Sequence, residues 1–151
     1  MRRQQSVPAP SRPWTPEEQD AYALALELAG LRPMTVTETM PLGIALEPGE
    51  TAHRLVGLWL SIRVDGVWTV PEPCQVLITD RRLLVRLLSG DLVSMWWGAV
   101  VGFWPDLTAG YVVIDFGDGM ARALRGPAIG CVAVAGMIRL YGVDALIGRP
   151  Q

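Results

Sequence analysis

The chain has 151 residues and a net charge of −2, with half of its residues hydrophobic and a mean hydropathy of +0.29. That is room for one domain with a full core and hardly for two, and the charge gives no global attraction for nucleic acid or anionic lipid. All thirteen basic residues are arginine, so a P-loop lysine, a Schiff base and a Ser-Lys dyad are excluded outright.

Residues 1–14 carry Arg2, Arg3 and Arg12 with prolines at 8, 10 and 13 and no periodicity. This is the composition of a disordered, solvated arm; read functionally, it is a tether for an acidic partner or a phospholipid surface. No apolar stretch follows Met1-Arg2-Arg3 as a secretory signal requires, and no run reaches membrane-spanning length. A soluble, cytoplasmic protein is expected.

Thr15-Pro16-Glu17-Glu18 is a helix start with a capping box, which predicts a helix within 15–30 that runs through Leu28 and stops at Gly30. Its apolar arc holds Tyr22, Leu24, Ala25, Leu26 and Leu28, against a polar edge of Gln19, Asp20 and Glu27. The arc must pack on its own domain or, failing that, on a second subunit. Residues 31–50 read as a connection, with a weak strand at Thr35–Thr39 and a turn at Glu47-Pro48-Gly49-Glu50.

From His53 to Val64 the pattern alternates: Val56, Leu58, Leu60, Ile62 and Val64 share one face, and His53, Leu55, Gly57, Trp59, Ser61 and Arg63 the other. Asp65-Gly66 signals a tight hairpin with a return over Val67–Val70. Gln75–Thr79, Arg82–Leu88 and Leu92–Trp97 form an antiparallel meander; Leu83, Val85 and Leu87 lie on one face of its middle strand, Arg82 and Arg86 on the other. Ala99–Trp104 is a further strand, Tyr111–Phe116 and Met120–Arg125 a last hairpin around Gly117-Asp118-Gly119. Ala128–Tyr141 reads as a closing helix with Cys131, Val134, Ile138 and Tyr141 on one stripe. Gly130 and Gly136 weaken that helix but permit close approach to a sheet.

The fold class is therefore mainly β with some α: a partly open antiparallel barrel of about seven strands, capped by a C-terminal helix and preceded by an extra N-terminal one. Glu47-Pro48-Gly49-Glu50, the run Val76-Leu-Ile-Thr-Asp-Arg-Arg-Leu-Leu84, Leu92-Val-Ser-Met-Trp-Trp97 and the helix Ala128–Tyr141 together resemble pleckstrin-homology-like domains of the bacterial, GRAM-type kind found in actinobacteria, over about residues 46–147. In pleckstrin-homology domains proper, basic residues around the first hairpin loop hold phosphoinositide head groups. Here that loop is Val64-Asp65-Gly66-Val67 with only Arg63 beside it, a departure that disfavours lipid binding.

No catalytic set is present. The single histidine, His53, is read as a surface or edge residue, and Cys74 and Cys131 as buried free thiols. Asp106, Asp115 and Asp118 are read as turn chemistry rather than metal ligands. No metal and no cofactor are expected. Arg81, Arg82 and Arg86 are the candidate anion-binding residues; for Arg82 a structural pairing with a carboxylate or strand carbonyl is the preferred reading. Trp59, Trp96, Trp97 and Trp104 are the candidate partner-binding residues, and since Trp96 and Trp97 are adjacent in a strand they must face opposite ways.

The leading expectation is a non-enzymatic protein-interaction or scaffolding module with an unidentified protein partner, capable of forming a homo-oligomer and not binding nucleic acid. A peripheral binder of anionic lipid or another anionic ligand stands second, with membrane association disfavoured. A small-ligand carrier or enzyme with a site between barrel and helix stands third.

Overall fold

A computed structural model describes residues 12–145. The expectations for positions 1–11 of the arm and for 146–147 lie outside the described residues. Helix α1 (Pro16–Leu28) leads into strands β1 (Ala52–Val64), β2 (Val67–Trp68), β3 (Glu72–Thr79), β4 (Arg82–Leu87), β5 (Leu92–Trp96), β6 (Gly102–Asp106), β7 (Tyr111–Asp115) and β8 (Arg122–Arg125), then helix α2 (Ile129–Tyr141). All strand pairs are antiparallel, in the order β5-β4-β3-β1-β8-β7-β6, with β2 paired only to β1. The sheet is strongly antiparallel and open, with β5 and β6 as its edges.

The sequence signals for α1 translate directly. The Glu18 amide donates to Thr15 Oγ1 at 3.1 Å and the Thr15 amide to Glu18 Oε1 at 3.0 Å, completing the capping box. At the other end Gly30 takes φ +76°, and the Gly30 and Leu31 amides donate to the Glu27 and Leu26 carbonyls in a Schellman motif. The helix packs on α2 of its own chain and puts Ala21 and Leu24 into the main core. One residue departs from the polar edge read in sequence: Glu27 is buried. Its carboxylate accepts from Arg54 Nη1 at 3.2 Å, from Arg54 Nη2, and from the Thr35 amide at 2.7 Å, while Asp20 accepts from Arg54 Nε at 2.9 Å. Burial opposes the Glu27 charge, but the hydrogen bonds from Arg54 and Thr35 outweigh it and hold the carboxyl below its usual range.

β1 organises the sheet. It pairs with β3 from Ala52 to Leu60 and with β8 from Trp59 to Ile62, so its middle carries a partner on both sides. Its Asp65-Gly66 hairpin is as expected, with both central residues at positive φ (51° and 77°). The return strand is only Val67–Trp68, shorter than the predicted run to Val70; Pro71 lies outside the strands, but Pro73, expected to break the ladder, sits within β3 and pairs with Trp59.

Val56, Leu58, Leu60 and Ile62 of β1, with Val76, Ile78, Leu83, Val85, Val112, Ile114 and Leu124, form the inner face and pack on α2. Gly136 sits against the sheet as expected: a Cβ there would lie 2.2 Å from Phe103. Gly130 instead admits α1, its notional Cβ falling 2.9 Å from that of Ala21. Because α2 lies between sheet and α1, its buried set is broader than the predicted stripe and includes Ile129, Val132, Ala133 and Ala135, whereas Tyr141 is exposed.

The strand expected at 99–104 is displaced. Trp97–Ala99 form a 3₁₀ turn, and β6 begins at Gly102 and continues through Pro105. A proline is tolerated there because β6 is an edge strand. The segment at 35–39 forms no strand, although the Thr37 amide donates to the Ala52 carbonyl of β1.

The Glu27–Arg54 pair gives a direct test of how α1 is held. Arg54→Ala leaves Glu27 buried without its cation and is expected to destabilise the fold by about 3–5 kcal/mol. Replacing both residues with methionine is expected to recover most of that loss in chemical denaturation; no recovery would show that the pair does more than neutralise itself.

Candidate functional site

The two halves of the sheet present different outer faces. On β3, β4 and the first half of β1, the outward residues Leu77, Leu84, Ala52 and Leu55 are covered by the connection before β1, through Leu42, Ile44 and Leu46. The three arginines singled out in sequence are the clamps of this cover. Arg81 donates from Nη2 to the Pro48 carbonyl at 3.0 Å and from Nη1 to Glu47 at 3.3 Å. Arg82 donates from Nε and Nη2 to the two oxygens of Glu50, both at 2.9 Å, and from Nη1 to Ser94 Oγ at 2.9 Å, with its guanidinium 4.5 Å above the Trp96 ring. Arg86 donates from Nη2 to the Leu42 carbonyl. The structure thus brings Arg81, Arg82 and Arg86 to one face and engages each of them with the chain itself.

Glu50 is fully enclosed, and its carboxyl is drawn down to about 2. Burial would raise it, but Arg82 and Thr79, whose Oγ1 donates to Oε2 at 2.7 Å, prevail.

The outer face of β6, β7, β8 and the second half of β1 has no such cover among the described residues. Register fixes its layout. Val113, Ala123 and Ser61 lie in one cross-strand row and form a floor of small side chains. Tyr111, Arg125 and Trp59 form the row at one end; Asp115, Arg63 and Trp68 stand at the other. Trp104, paired with Val113, closes the β6 side. The result is a trough of about 760 Å³, within the size range of ligand sites.

Two indoles line it, Trp68 and Trp104, 41% and 55% exposed, and Trp59, 47% exposed, stands on the same face in the end row outside the lining. Trp104 lies flat because Gly102, two residues before it on the same face, has no side chain; a Cβ there would fall 2.4 Å from Cη2 of the indole. Arg125 sits over the Tyr111 ring at 5.8 Å, which stiffens the opposite wall.

Of the four tryptophans proposed for partner binding, Trp104 lines this trough and Trp59 is exposed on the same face outside its lining. Trp96 is half-buried under Arg82 on the covered half. Trp97 corrects the expectation: it is 5% exposed, packs edge-on against Phe103 and donates from Nε1 to the Thr79 carbonyl at 3.2 Å, so it is core. Trp68, Tyr111, Arg63 and Arg125 were not singled out for the site. The signal was present in their alternation with Val112, Ile114 and Leu124, but it becomes readable only once the strand pairs are known.

The remaining candidates are structural. Asp106, Asp115 and Asp118 accept from the amides of Ala109, Gly117 and Met120 at 2.8–3.0 Å, which is turn chemistry. No grouping of three metal-ligating side chains occurs among the described residues. Cys74 and Cys131 are buried, and burial pushes their thiols up to about 11 and about 12. His53 overturns its reading as a surface or edge residue: it occupies the bulge between Ala52 and Arg54, is 3% exposed, and neither ring nitrogen has a hydrogen-bond partner. No helix among the described residues is long and apolar enough to cross a membrane. Comparison of the chain with protein-family models and with curated proteins finds no match.

Burial, followed by the charge of Arg139, lowers the His53 pKa below its ordinary value. The unfolded chain therefore takes up a proton that the folded chain refuses, and stability falls as pH drops below about 6.5, by up to about 1.4 kcal/mol per pH unit. The carboxylates Glu27 and Glu50 act only at lower pH, so the window between about 5 and 6.5 belongs to His53. Thermal unfolding across that window is expected to show the slope in the native chain and to lose it in His53→Phe.

Proposed function

We propose that this chain is a non-enzymatic interaction module with a pleckstrin-homology-like fold that holds an extended, proline-bearing protein segment in the outer-face trough. The observation that carries the reading is the aromatic wall of exposed Trp68 and Trp104 and half-buried Tyr111 around a floor of Val113, Ala123 and Ser61. Flat aromatic faces set apart by small residues suit the rings of an extended proline helix, which docks with little loss of entropy. The antiparallel seven-strand path, with β2 beside β1, and the closing helix support the family resemblance. The filled inner face, the buried histidine and the protonated thiols support a role without turnover.

The anion-binding reading keeps less support. Arg81, Arg82 and Arg86 clamp the cover, and the trough sets Arg63 and Arg125 against Asp115 rather than presenting a field of one sign.

Titration of a capped, proline-rich peptide, followed by tryptophan fluorescence, tests the proposal. Trp104→Ala and Trp68→Ala are each expected to weaken binding by about 1–2 kcal/mol, as aromatic anchors do, with the melting temperature nearly unchanged. Gly102→Ala, which unseats Trp104 without removing it, is expected to act in the same direction. Binding that ignores all three changes, or that disappears with added salt as an ionic contact would, refutes the reading.

A further inference from the structure

We propose that the trough is occupied by the N-terminal arm of the same chain, through the uncharged run Ser6-Val7-Pro8-Ala9-Pro10-Ser11. This rests on the reading of the trough as a site for an extended proline-bearing segment, and it names the first segment to take it.

Position is the first argument. Arg12, at the start of the described residues, lines the same hollow as Gly110 and Gly126. Those two glycines bond to each other, and the next rung of the ladder is Tyr111 with Arg125, the end wall of the trough. Arg12 thus borders a hollow whose far side, Gly110 and Gly126, adjoins the rung that ends the trough.

Length is the second. The trough runs along β7 from Tyr111 to Asp115, about 14 Å at 3.4 Å per residue. Six residues of extended proline helix span about 19 Å, so the run from Ser11 back to Ser6 covers the trough from Tyr111 to Trp68.

Chemistry is the third. The trough carries Arg63, Arg125 and one carboxylate, Asp115, whose Oδ1 already accepts from the Gly117 amide. That mixture selects against a charged ligand. The arm offers a matching stretch: Arg12 is engaged by Glu18, Arg2 and Arg3 precede the run in sequence, and residues 6–11 carry no charge. Pro8 and Pro10 bias the run toward the extended proline conformation that the trough is read to accept. The other half of the sheet sets a precedent within this molecule, since there a proline-bearing connection already covers the outer face.

The consequence is a self-occupied site. An external peptide must displace a tethered competitor whose effective concentration is in the millimolar range, which weakens its apparent binding by about tenfold.

The test uses the full chain. Ser6→Cys is labelled with a nitroxide; Cys74 and Cys131 are buried with protonated thiols, so the label goes to position 6. Broadening of the Trp68 and Trp104 indole N–H signals within the labelled molecule, abolished by Pro8→Gly with Pro10→Gly, is the expected result. The same double substitution is expected to tighten binding of a free Ser6–Pro13 peptide by about tenfold. Broadening that appears only when labelled protein is mixed with isotope-labelled native chain overturns the proposal in favour of a second copy's arm. No broadening, with the free peptide still bound in a Trp104-dependent way, overturns the arm's role while leaving the interaction surface standing. No broadening and no peptide binding remove both.

Discussion

The double pairing of β1 at Trp59 and Leu60 is the constraint on which the molecule depends. One strand of thirteen residues serves as the edge of two half-sheets, with β3 along its first part and β8 along its second. A strand shared in this way forces the two halves to turn relative to each other, since each carries its own right-handed twist. The inner faces then converge on α2, and the outer faces diverge. The two outer faces then differ: one is covered by the connection before β1, and the other is left open among the described residues.

The same chemical device fixes each added element. Glu27 of α1 meets Arg54 on the inner side of β1, and Glu50 at the end of the cover meets Arg82 on the outer side of β4. Both carboxylates are buried, and both are gripped by an arginine fork through two nitrogens. Such pairs add little net stability, because desolvation consumes most of the attraction. They do make misplacement expensive: shifting α1 or the cover by one residue would bury a carboxylate alone. A chain that uses no lysine is well suited to this device, since the planar guanidinium bonds both oxygens while an ammonium offers a point charge.

Local signals in the sequence translated into local structure with little loss. Thr15 and Glu18 cap α1, Asp65-Gly66 makes the hairpin, Leu83, Val85 and Leu87 face inward, and Trp96 and Trp97 part to opposite faces. What did not show was any property decided by a distant partner. Glu27 looks solvated until Arg54 arrives from β1. His53 looks exposed until a bulge turns it inward. Period-two alternation says which residues share a face, but it does not say whether Leu42, Ile44 and Leu46 will later cover it. Trp68 and Tyr111 therefore remained ordinary strand aromatics until the register set them around one floor.

The contrast between the two outer faces carries the functional argument. The covered half has bulky aliphatic residues, Leu77 and Leu84, matched by Ile44 of the cover, as a permanent interface requires. The open half has the reverse arrangement: small residues on the floor and large aromatic ones on the rim. A face meant only for water would not expose three indoles, which cost solubility and invite association. A face meant to be sealed for good would fill its floor. Small floor and large flanking side chains make a trough, the shape on which the proposed docking of an extended segment rests. That shape distinguishes this half of the sheet from the half the chain covers for itself through Leu42, Ile44 and Leu46.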